Sequence, residues 1–316
     1  MSRRVVAFAP GSIGNVGPGL DILGLAVEGA GDSVAVEWTA GPGIVVADPG
    51  HPELPREAEH HASALAARAV LDRVGSGTLR GRGISLSVTK GLPLAGGQGG
   101  SAASAVAGAV AVNALFGSPL EPMALIDCCL AAEEAVAGRH ADNLAPSLLG
   151  GIILIRAMDP PDLVRLPVPR ELWVVLARPD QRMRTADARA VLPREVPRAV
   201  ALHQAAQVGA MVAALALEDY ALLGRAIDDR IAEPARAGLL PGFPEAKAAA
   251  LAAGALGSSI SGSGPTVFAL ARGRAAAERA GAAMREAYAA AGHASEVRVG
   301  AVDRVGARIV EDSEPR

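Results

Sequence analysis

The residues with the clearest chemical potential are a run of glycines followed by small residues, PLAGGQGGSAAS at 93–104. Glycine allows backbone N–H groups to converge and leaves no side chain in the way of a ligand. The run leads into an apolar stretch over 101–117 that predicts a helix, and the unpaired N–H groups at a helix start carry partial positive charge. The pattern is typical of a backbone cradle for phosphate, although a tight loop before an Ala-rich core helix would share it.

The loop differs from two common nucleotide-binding motifs. A Walker A motif ends in Gly-Lys-Ser or Gly-Lys-Thr, whereas Gly100 is followed here by Ser101 and Ala102. The dinucleotide fingerprint is also excluded, because the glycine spacing is wrong and no acidic residue follows within about 20 residues in the required way. A nucleotide would therefore be held by backbone amides, without the usual lysine in the loop.

Polar side chains that could bind a second molecule are scattered over other Gly- and Pro-rich segments. Each has an alternative interpretation as a turn former or a solvated surface group. Thr185 and Arg189 lie four residues apart and would share one face of a helix. The candidates are Ser12, Asn15 and Asp21 in 10–28, Glu133 and Glu134 in 119–137, His140, Asp142 and Asn143 in 138–151, Thr185 and Arg189 in 180–193, and Arg236 in 231–247.

Short strands and amphipathic helices would have to position these residues. Only one helix separates the early strands, which predicts a mixed sheet rather than a doubly wound one. The segment 10–28 is interpreted as a polar loop and the Pro-rich segment 159–169 as the domain boundary. Strands are predicted at 4–9, 33–38, 43–47, 83–89, 152–156, 172–177 and 296–303, and helices at 56–74, 101–117, 119–137, 198–217 and 273–291.

Composition limits the class of protein. A chain of 316 residues is long enough for two domains, and with 50% apolar but 3% aromatic residues its core must consist of Ala, Val, Leu and Ile. A net charge of −3 without a basic block argues against nucleic-acid binding. The N-terminus predicts neither a signal peptide nor a membrane span. Cys128 and Cys129 are adjacent and cannot join distant segments, so we expect a cytoplasmic protein without a membrane partner.

Three separated motifs make the sequence resemble the GHMP family of small-molecule kinases. They are APGSIGNVGPGLDILGLAV at 9–27, LPLAGGQGGSAASAVAG at 92–108 and SISGSGPTVFAL at 259–270. The resemblance implies an α+β fold of two domains. Residues 1–160 would form the nucleotide-binding domain, similar to ribosomal protein S5 domain 2 with a left-handed βαβ unit. Residues 161–316 would form a ferredoxin-like α/β domain.

Further segments resemble the homoserine branch of that family. These are GRHADNLAPSLLGG, TADARAVLP and EPARAGLLPGF, and in the first of them Asn143 stands where several sibling kinases place a catalytic aspartate. The resemblance implies an ATP-dependent kinase, using Mg²⁺, that converts L-homoserine to O-phospho-L-homoserine in threonine biosynthesis. It also implies a homodimer. A sibling kinase for mevalonate, shikimate or a sugar, and a non-catalytic ligand sensor, remain alternatives.

The resemblance also assigns roles to individual residues. Catalysis would involve Asn15, Glu133, Asn143 and Arg189. The substrate would contact Asn15, Asp21, Asn143, Thr185, Arg189, Arg236, Gly262 and Gly264. Mg²⁺ would bind Ser101 and Glu133. The nucleotide would contact His61, Lys90, Pro93, Gly96, Gly97, Gln98, Gly99, Gly100, Ser101, Ala102 and Ala103.

The chemistry of these residue types suits those roles. Arginine binds a carboxylate through two parallel hydrogen bonds, and Asp21 can accept from an ammonium group. Because Asn143 is not a carboxylate, we hypothesise that Asn143 and Asn15 orient the hydroxyl while the transferred phosphate accepts its proton. The loop departs from the usual Gly-Leu-Gly-Ser-Ser at Gln98 and Gly100, which brings nucleotide affinity into question. Lys90 could equally be a solvated strand end.

Overall fold

The computed structural model describes residues 3–75, 81–136 and 138–313. These residues form two sheets with helices packed against them. The strands are β1 (Arg4–Gly14), β2 (Leu23–Thr39), β3 (Gly43–Asp48), β4 (Gly83–Thr89), β5 (Ile152–Met158), β6 (Pro161–Leu166), β7 (Leu172–Pro179), β8 (Gly257–Ile260), β9 (Val267–Arg272), β10 (Ser295–Ala301) and β11 (Arg308–Ser313).

The helices within the described residues include both long core helices and short connecting ones. A 3₁₀ turn at Ala237–Leu239 follows α8. The helices are α1 (Ala62–Val74), α2 (Gly100–Leu115), α3 (Pro122–Val136), α4 (Leu144–Leu149), α5 (Thr185–Ala190), α6 (Arg198–Leu217), α7 (Tyr220–Ala226), α8 (Ala232–Arg236), α9 (Phe243–Ala252) and α10 (Arg274–Ala290).

The first sheet is mixed, as the sequence predicts. Its strand order is β11-β1-β2-β4-β3, and β5 and β6 extend it as a hairpin from β2. β3 and β4 are parallel and are joined through α1, whereas the other pairs are antiparallel. Helix α2 is buried on nearly every side and consists largely of Ala, Val and Gly. At Gly108 an added Cβ would lie 2.7 Å from the carbonyl oxygen of Ser63, so glycine permits the close packing of α2 on α1.

The second sheet has the predicted ferredoxin-like topology. Its order is β10-β7-β9-β8 and all neighbouring pairs are antiparallel. In chain order the elements run strand, helices, two strands, α10, strand, which is a βαββαβ arrangement. Leu, Val and Ala side chains on this sheet pack against α6, α7, α9 and α10.

The boundary between the sheets differs from the one placed at residue 160. That position falls in the turn of the β5–β6 hairpin, so the first sheet continues to Leu166. The chain also returns to the first sheet at its end, because β11 pairs with β1. β11 is exposed and mostly polar, and ion pairs such as Arg4–Glu311 (2.6 Å) join it to β1. An edge strand of this kind lacks the apolar alternation on which the sequence prediction relied.

The segment 10–28, predicted to be a loop, is largely strand. Residues 10–14 continue β1 and residues 23–28 begin β2, and the two parts pair with each other across the turn. Helix α1 starts at Ala62 rather than at 56, and residues 49–60 form turns in front of it. Among the described residues, α6 is long and apolar enough to cross a bilayer by length and composition. Its buried residues Met211, Ala214 and Leu215 pack into the second domain.

Candidate active site

A cavity of about 500 Å³ lies between the two sheets and gathers segments from the whole chain. Its wall combines the turn after β1, the loop before α2, the end of α3, the turn before α4, helix α5, the end of α8 and the turn after β8. The sequence-predicted residues that line it are Asn15, His61, Lys90, Pro93, Gly96, Gly97, Gly99, Gly100, Ser101, Ala102, Glu133, Asn143, Thr185, Arg189, Arg236 and Gly262.

Four residues to which the resemblance assigns a role do not line this cavity, nor do the further candidates Ser12 and Glu134, whereas His140 and Asp142 do. Asp21 lies beside it and contacts Arg189. Gln98 and Ala103 are buried behind the loop and within α2, respectively. Gly264 lies within the third motif, and an added Cβ there would be 3.1 Å from Leu240. The methyl group of Ala103 and the backbone of Gly264 therefore contribute to packing around the loop, not to the cavity wall.

The glycine loop is held between the first and third motifs. Gly97 and Gly99 have φ near +70°, which favours glycine, and an added Cβ at Gly99 would meet Ser12 Oγ at 2.1 Å. The loop carbonyls are occupied: Ser12 N–H donates to Gln98 O (3.1 Å) and Ser261 Oγ to Gly97 O (2.6 Å). The N–H groups of the first turn of α2 have no partner within the helix. The loop thus keeps backbone donors at the cavity.

Gln98 is the loop residue that faces the second domain. Its side chain is buried, its Nε2 donates to Thr266 Oγ1 (3.1 Å), and its Oε1 accepts from Arg298 at 3.4 Å. A smaller cavity beside it is lined by Arg285, Arg298 and neighbouring residues of β10. Gln98 therefore joins the loop to the second sheet.

We predict that Gln98→Leu leaves the KM for ATP, the nucleotide that the resemblance implies, within about threefold, because this side chain does not line the main cavity. The variant loses two hydrogen bonds, and we expect the free energy of unfolding to fall by about 1–2 kcal/mol. Urea denaturation and initial-rate kinetics measure the two effects. A tenfold rise in the KM for ATP without loss of stability would contradict the position described for this side chain.

Asp21 and Arg189 form an ion pair beside the cavity. Arg189 NH2 lies 2.9 Å from Asp21 Oδ1, and His140 Nδ1 lies 3.4 Å from the same oxygen. Asn15 and Asp21 both have positive φ, 55° and 60°, and the Asn15 side chain accepts from the Asp21 N–H at 2.7 Å. Positive φ is uncommon for residues other than glycine and concentrates at functional sites. Two residues of the first motif thus adopt an unfavourable backbone conformation that places the Asp21 carboxylate beside the cavity.

Arg236 is the largest fully buried side chain that reaches the cavity. Its Nε donates to Ala188 O (3.0 Å) and its NH1 to Gly262 O (2.9 Å). Burial, followed by the nearby Arg189 charge, lowers the pKa of its guanidinium. Two guanidinium groups therefore lie near one another at one end of the cavity, which is a favourable environment for a carboxylate.

Two acidic side chains lie in the cavity wall near Asn143. Burial raises the pKa of Glu133 to about 7 and that of Asp142 to about 6. Glu133 Oε2 is shielded from solvent and has no hydrogen-bond partner among the described residues. Asp142 Oδ2 accepts from Asn15 N–H (3.1 Å), and Asn143 Oδ1 accepts from Ser12 Oγ (3.0 Å). The cavity thus has one unpaired carboxylate oxygen and one that is already bound.

His61, which the resemblance assigns to the nucleotide, is buried. Its Nε2 lies 3.4 Å from Pro49 O, and burial lowers the pKa of the ring, so it is neutral near pH 7. The charged groups of Asp32 and Lys90 and the hydroxyl of Ser104 form a buried cluster under the loop. Sequence reasoning missed Asp32 and Ser104. The available signal was an aspartate inside the strongly apolar strand β2.

Comparisons with known proteins agree with this geometry. The family described as GHMP kinases N terminal domain matches residues 61–151, and GHMP kinases C terminal matches residues 211–290. A homoserine kinase of Chlorobaculum tepidum is 41% identical over 98% of this chain and 98% of its own length. The chain belongs to the homoserine kinase family of GHMP kinases. A member from Arabidopsis thaliana is also 41% identical, over 97% of this chain and 84% of that protein.

The fold of the homoserine kinase family is shared throughout the chain. The crystal structure of homoserine kinase from Cytophaga hutchinsonii superposes with a TM-score of 0.93 at 39% identity, covering 97% of both chains. Mevalonate kinase of L. major, solved with R-mevalonate, has a TM-score of 0.70 at 17% identity. That second likeness concerns the fold alone. The two-domain α+β architecture expected from the three motifs is therefore confirmed.

Proposed function

We propose that this protein is an ATP-dependent homoserine kinase that transfers the γ-phosphoryl group of ATP to the hydroxyl of L-homoserine. The observation that carries the proposal is one cavity that is lined by the glycine loop and by Arg189 and Arg236, with Asp21 beside it in contact with Arg189. A phosphate cradle and a site for a zwitterion within one cavity suit phosphoryl transfer to an amino acid. Relatives about 40% identical over nearly the whole chain are homoserine kinases, which supports the same choice.

The loop residues would bind the nucleotide, with Mg²⁺ held by Glu133 and Ser101. Mg²⁺ prefers a few oxygen ligands together with phosphate oxygens and retained waters. The unpaired Oε2 of Glu133 and the Ser101 hydroxyl at the start of α2 fit that preference. When bound, the metal would neutralise charge on the phosphates. His61 and Lys90 line the cavity next to α1 and β4. We assign His61 to contact with the adenine ring of the nucleotide.

The acid and amine ends of homoserine would bind Asp21, Arg189 and Arg236. Its carboxylate would accept from Arg189 and Arg236, and its ammonium would donate to Asp21. Asp21 and Arg189 already pair with each other, so the two opposite charges that a zwitterion needs lie side by side before it binds. Thr185 begins the helix that carries Arg189, and Gly262 supplies a carbonyl that orients Asn15 and Arg236.

Proton removal would not require a dedicated base. Asn143 and Asn15 would orient the hydroxyl, and the transferred phosphate would accept its proton, since phosphoryl transfer depends mainly on alignment and charge neutralisation. Asp142, which precedes Asn143 and also lines the cavity, is the carboxylate to consider as an alternative acceptor. Its Oδ2 is engaged with the backbone N–H of Asn15, which favours a positioning role.

Replacing either arginine should weaken homoserine binding selectively. A hydrogen bond to a charged group contributes roughly 1.5–3 kcal/mol, so Arg189→Lys and Arg236→Lys should each raise the KM for homoserine about tenfold to a hundredfold. The KM for ATP should change by less than about threefold. Arg182→Lys is a matched control, because Arg182 pairs with Glu53 on the exposed surface. Equal effects on both substrates would contradict the assignment.

The proposed activity is tested by measuring ADP release with ATP, Mg²⁺ and a panel of alcohols. L-homoserine should be the preferred acceptor over mevalonate, shikimate and galactose, which lack an ammonium group. Preference for one of those would indicate a sibling kinase, and tight ATP binding without turnover would indicate a ligand sensor. We also expect a cytoplasmic protein that forms a homodimer, and light scattering of the purified protein measures its oligomeric state.

A further inference from the structure

A buried ion pair beneath the glycine loop has no role in the reaction described above. Asp32 on β2 is fully buried and Lys90 at the end of β4 is 8% exposed. Their charged groups are in contact, and Ser104 Oγ in α2 donates to Asp32 Oδ2 at 2.5 Å. A charge this far from water needs a compensating structural or functional reason.

The cluster joins both ends of the glycine loop to one carboxylate. At the start of the loop, the N–H groups of Gly91 and Leu92 donate to Asp32 Oδ1 at 3.1 and 3.2 Å. At its end, Lys90 Nζ donates to Gly100 O at 3.1 Å, where α2 begins. Movement of either end would break hydrogen bonds to charged groups.

The ammonium of Lys90 has no donor left for a nucleotide. An ammonium group has three N–H donors, and Asp32, Gly100 O and Ser104 Oγ (3.0 Å) accept one each. Asp32 also neutralises its charge. Lys90 lines the cavity, yet it lacks the free donor and the net charge with which a P-loop lysine binds phosphate.

We propose that Asp32 and Lys90 are positioning residues, which fix the geometry of the phosphate loop without touching phosphate themselves. Asp32 is the organising residue, since it accepts from the loop backbone, from α2 and from Lys90. The backbone amides of the loop then carry phosphate binding alone. This inference rests on the proposed function, because it assumes that the loop binds the triphosphate of ATP.

A double-mutant comparison separates positioning from direct contact. Asp32→Asn or Lys90→Met leaves one buried charge without its partner, and we expect either to raise the Kd of MgATP at least thirtyfold. The double variant Asp32→Asn/Lys90→Met leaves no such charge and should bind MgATP at least tenfold more tightly than Lys90→Met. If Lys90 contacted phosphate directly, Lys90→Met and the double variant would lose that contact equally and would bind MgATP with the same Kd.

Binding is measured by calorimetry on the folded full-length chain, beginning with the wild type. Failure of the wild type to bind MgATP would overturn the proposed function, whereas a double variant no tighter than Lys90→Met would overturn only the present inference. Should Lys90→Met not fold, the double variant decides: a Kd within tenfold of wild type supports positioning, and a larger loss overturns it. In each variant the KM for homoserine should stay within about threefold of the wild-type value. A general loss of structure would instead raise both the Kd of MgATP and the KM for homoserine.

Discussion

Glu133→Gln is expected to lower kcat at least about 100-fold while making the protein more stable at pH 8. The substitution keeps the shape of the side chain but removes the charge that would hold Mg²⁺ opposite the phosphates, and metal ions contribute several kcal/mol to such reactions. Glu134→Gln is the matched control. Glu134 is the next residue along α3, it is exposed, and it lies 3.7 Å from Arg139 at the surface, so its loss should leave kcat within about twofold.

The stability effect follows from the burial of the Glu133 carboxyl group. Its pKa rises from an ordinary 4.5 to about 7 in the folded protein, so the folded state binds the extra proton. The contribution of the protonated Glu133 to the free energy of unfolding is therefore lost as pH rises from about 4.5 to 7, and it stays lost above that range. Without Mg²⁺ at pH 8, the free energy of unfolding of the glutamine variant should exceed that of the wild type by up to about 3 kcal/mol. Urea denaturation at pH 4.5 and pH 8 measures this, and equal stability at pH 8 would contradict it.

Asn143→Ala is expected to reduce kcat about 100- to 1,000-fold, with a smaller change in the KM for homoserine. Losing one preorganised polar group at a reacting centre has effects of this size. The side chain is held in place by Ser12, whose hydroxyl donates to Asn143 Oδ1 at 3.0 Å. Ser12→Ala should therefore have an intermediate effect. Initial-rate kinetics with both substrates varied separates kcat from KM.

The same kinetics test where the proton goes. Asp142→Asn keeps an oxygen that can accept from the Asn15 N–H, and we expect kcat to stay within about tenfold of wild type. Asp142 is the carboxylate that would replace the phosphate as proton acceptor if the hypothesis were wrong. A loss as large as that of Asn143→Ala, with wild-type affinity for homoserine, would make Asp142 the base.

Residues whose role depends on local sequence could be predicted well. The glycine loop and α2 were recognisable because positive φ, close packing and a helix start all need glycine and small residues within one short stretch. The same holds for β7, which is a nearly continuous apolar run, and for α10, whose apolar residues recur at helical spacing. The ferredoxin-like order of the second sheet was implied by the family resemblance.

Features that depend on distant partners could not be predicted. β11 is a polar edge strand that forms only because β1 lies beside it, more than 300 residues earlier in the chain. The direction of the Gln98 side chain depends on Thr266. Whether the Lys90 ammonium has a free N–H donor depends on Asp32, which lies 58 residues away, and no spacing rule connects the two residues. Such contacts decide which of the polar residues near a loop face the ligand.

The most direct test of the proposed site is a crystal structure with a non-hydrolysable ATP analogue, Mg²⁺ and L-homoserine bound together. We predict the triphosphate against the N–H groups of the loop 96–101, the metal on Glu133 and Ser101, and the homoserine carboxylate between Arg189 and Arg236. The homoserine hydroxyl should lie beside Asn143, facing the γ-phosphate. Nucleotide bound away from the loop, or both arginines without contact to the amino acid, would contradict the account.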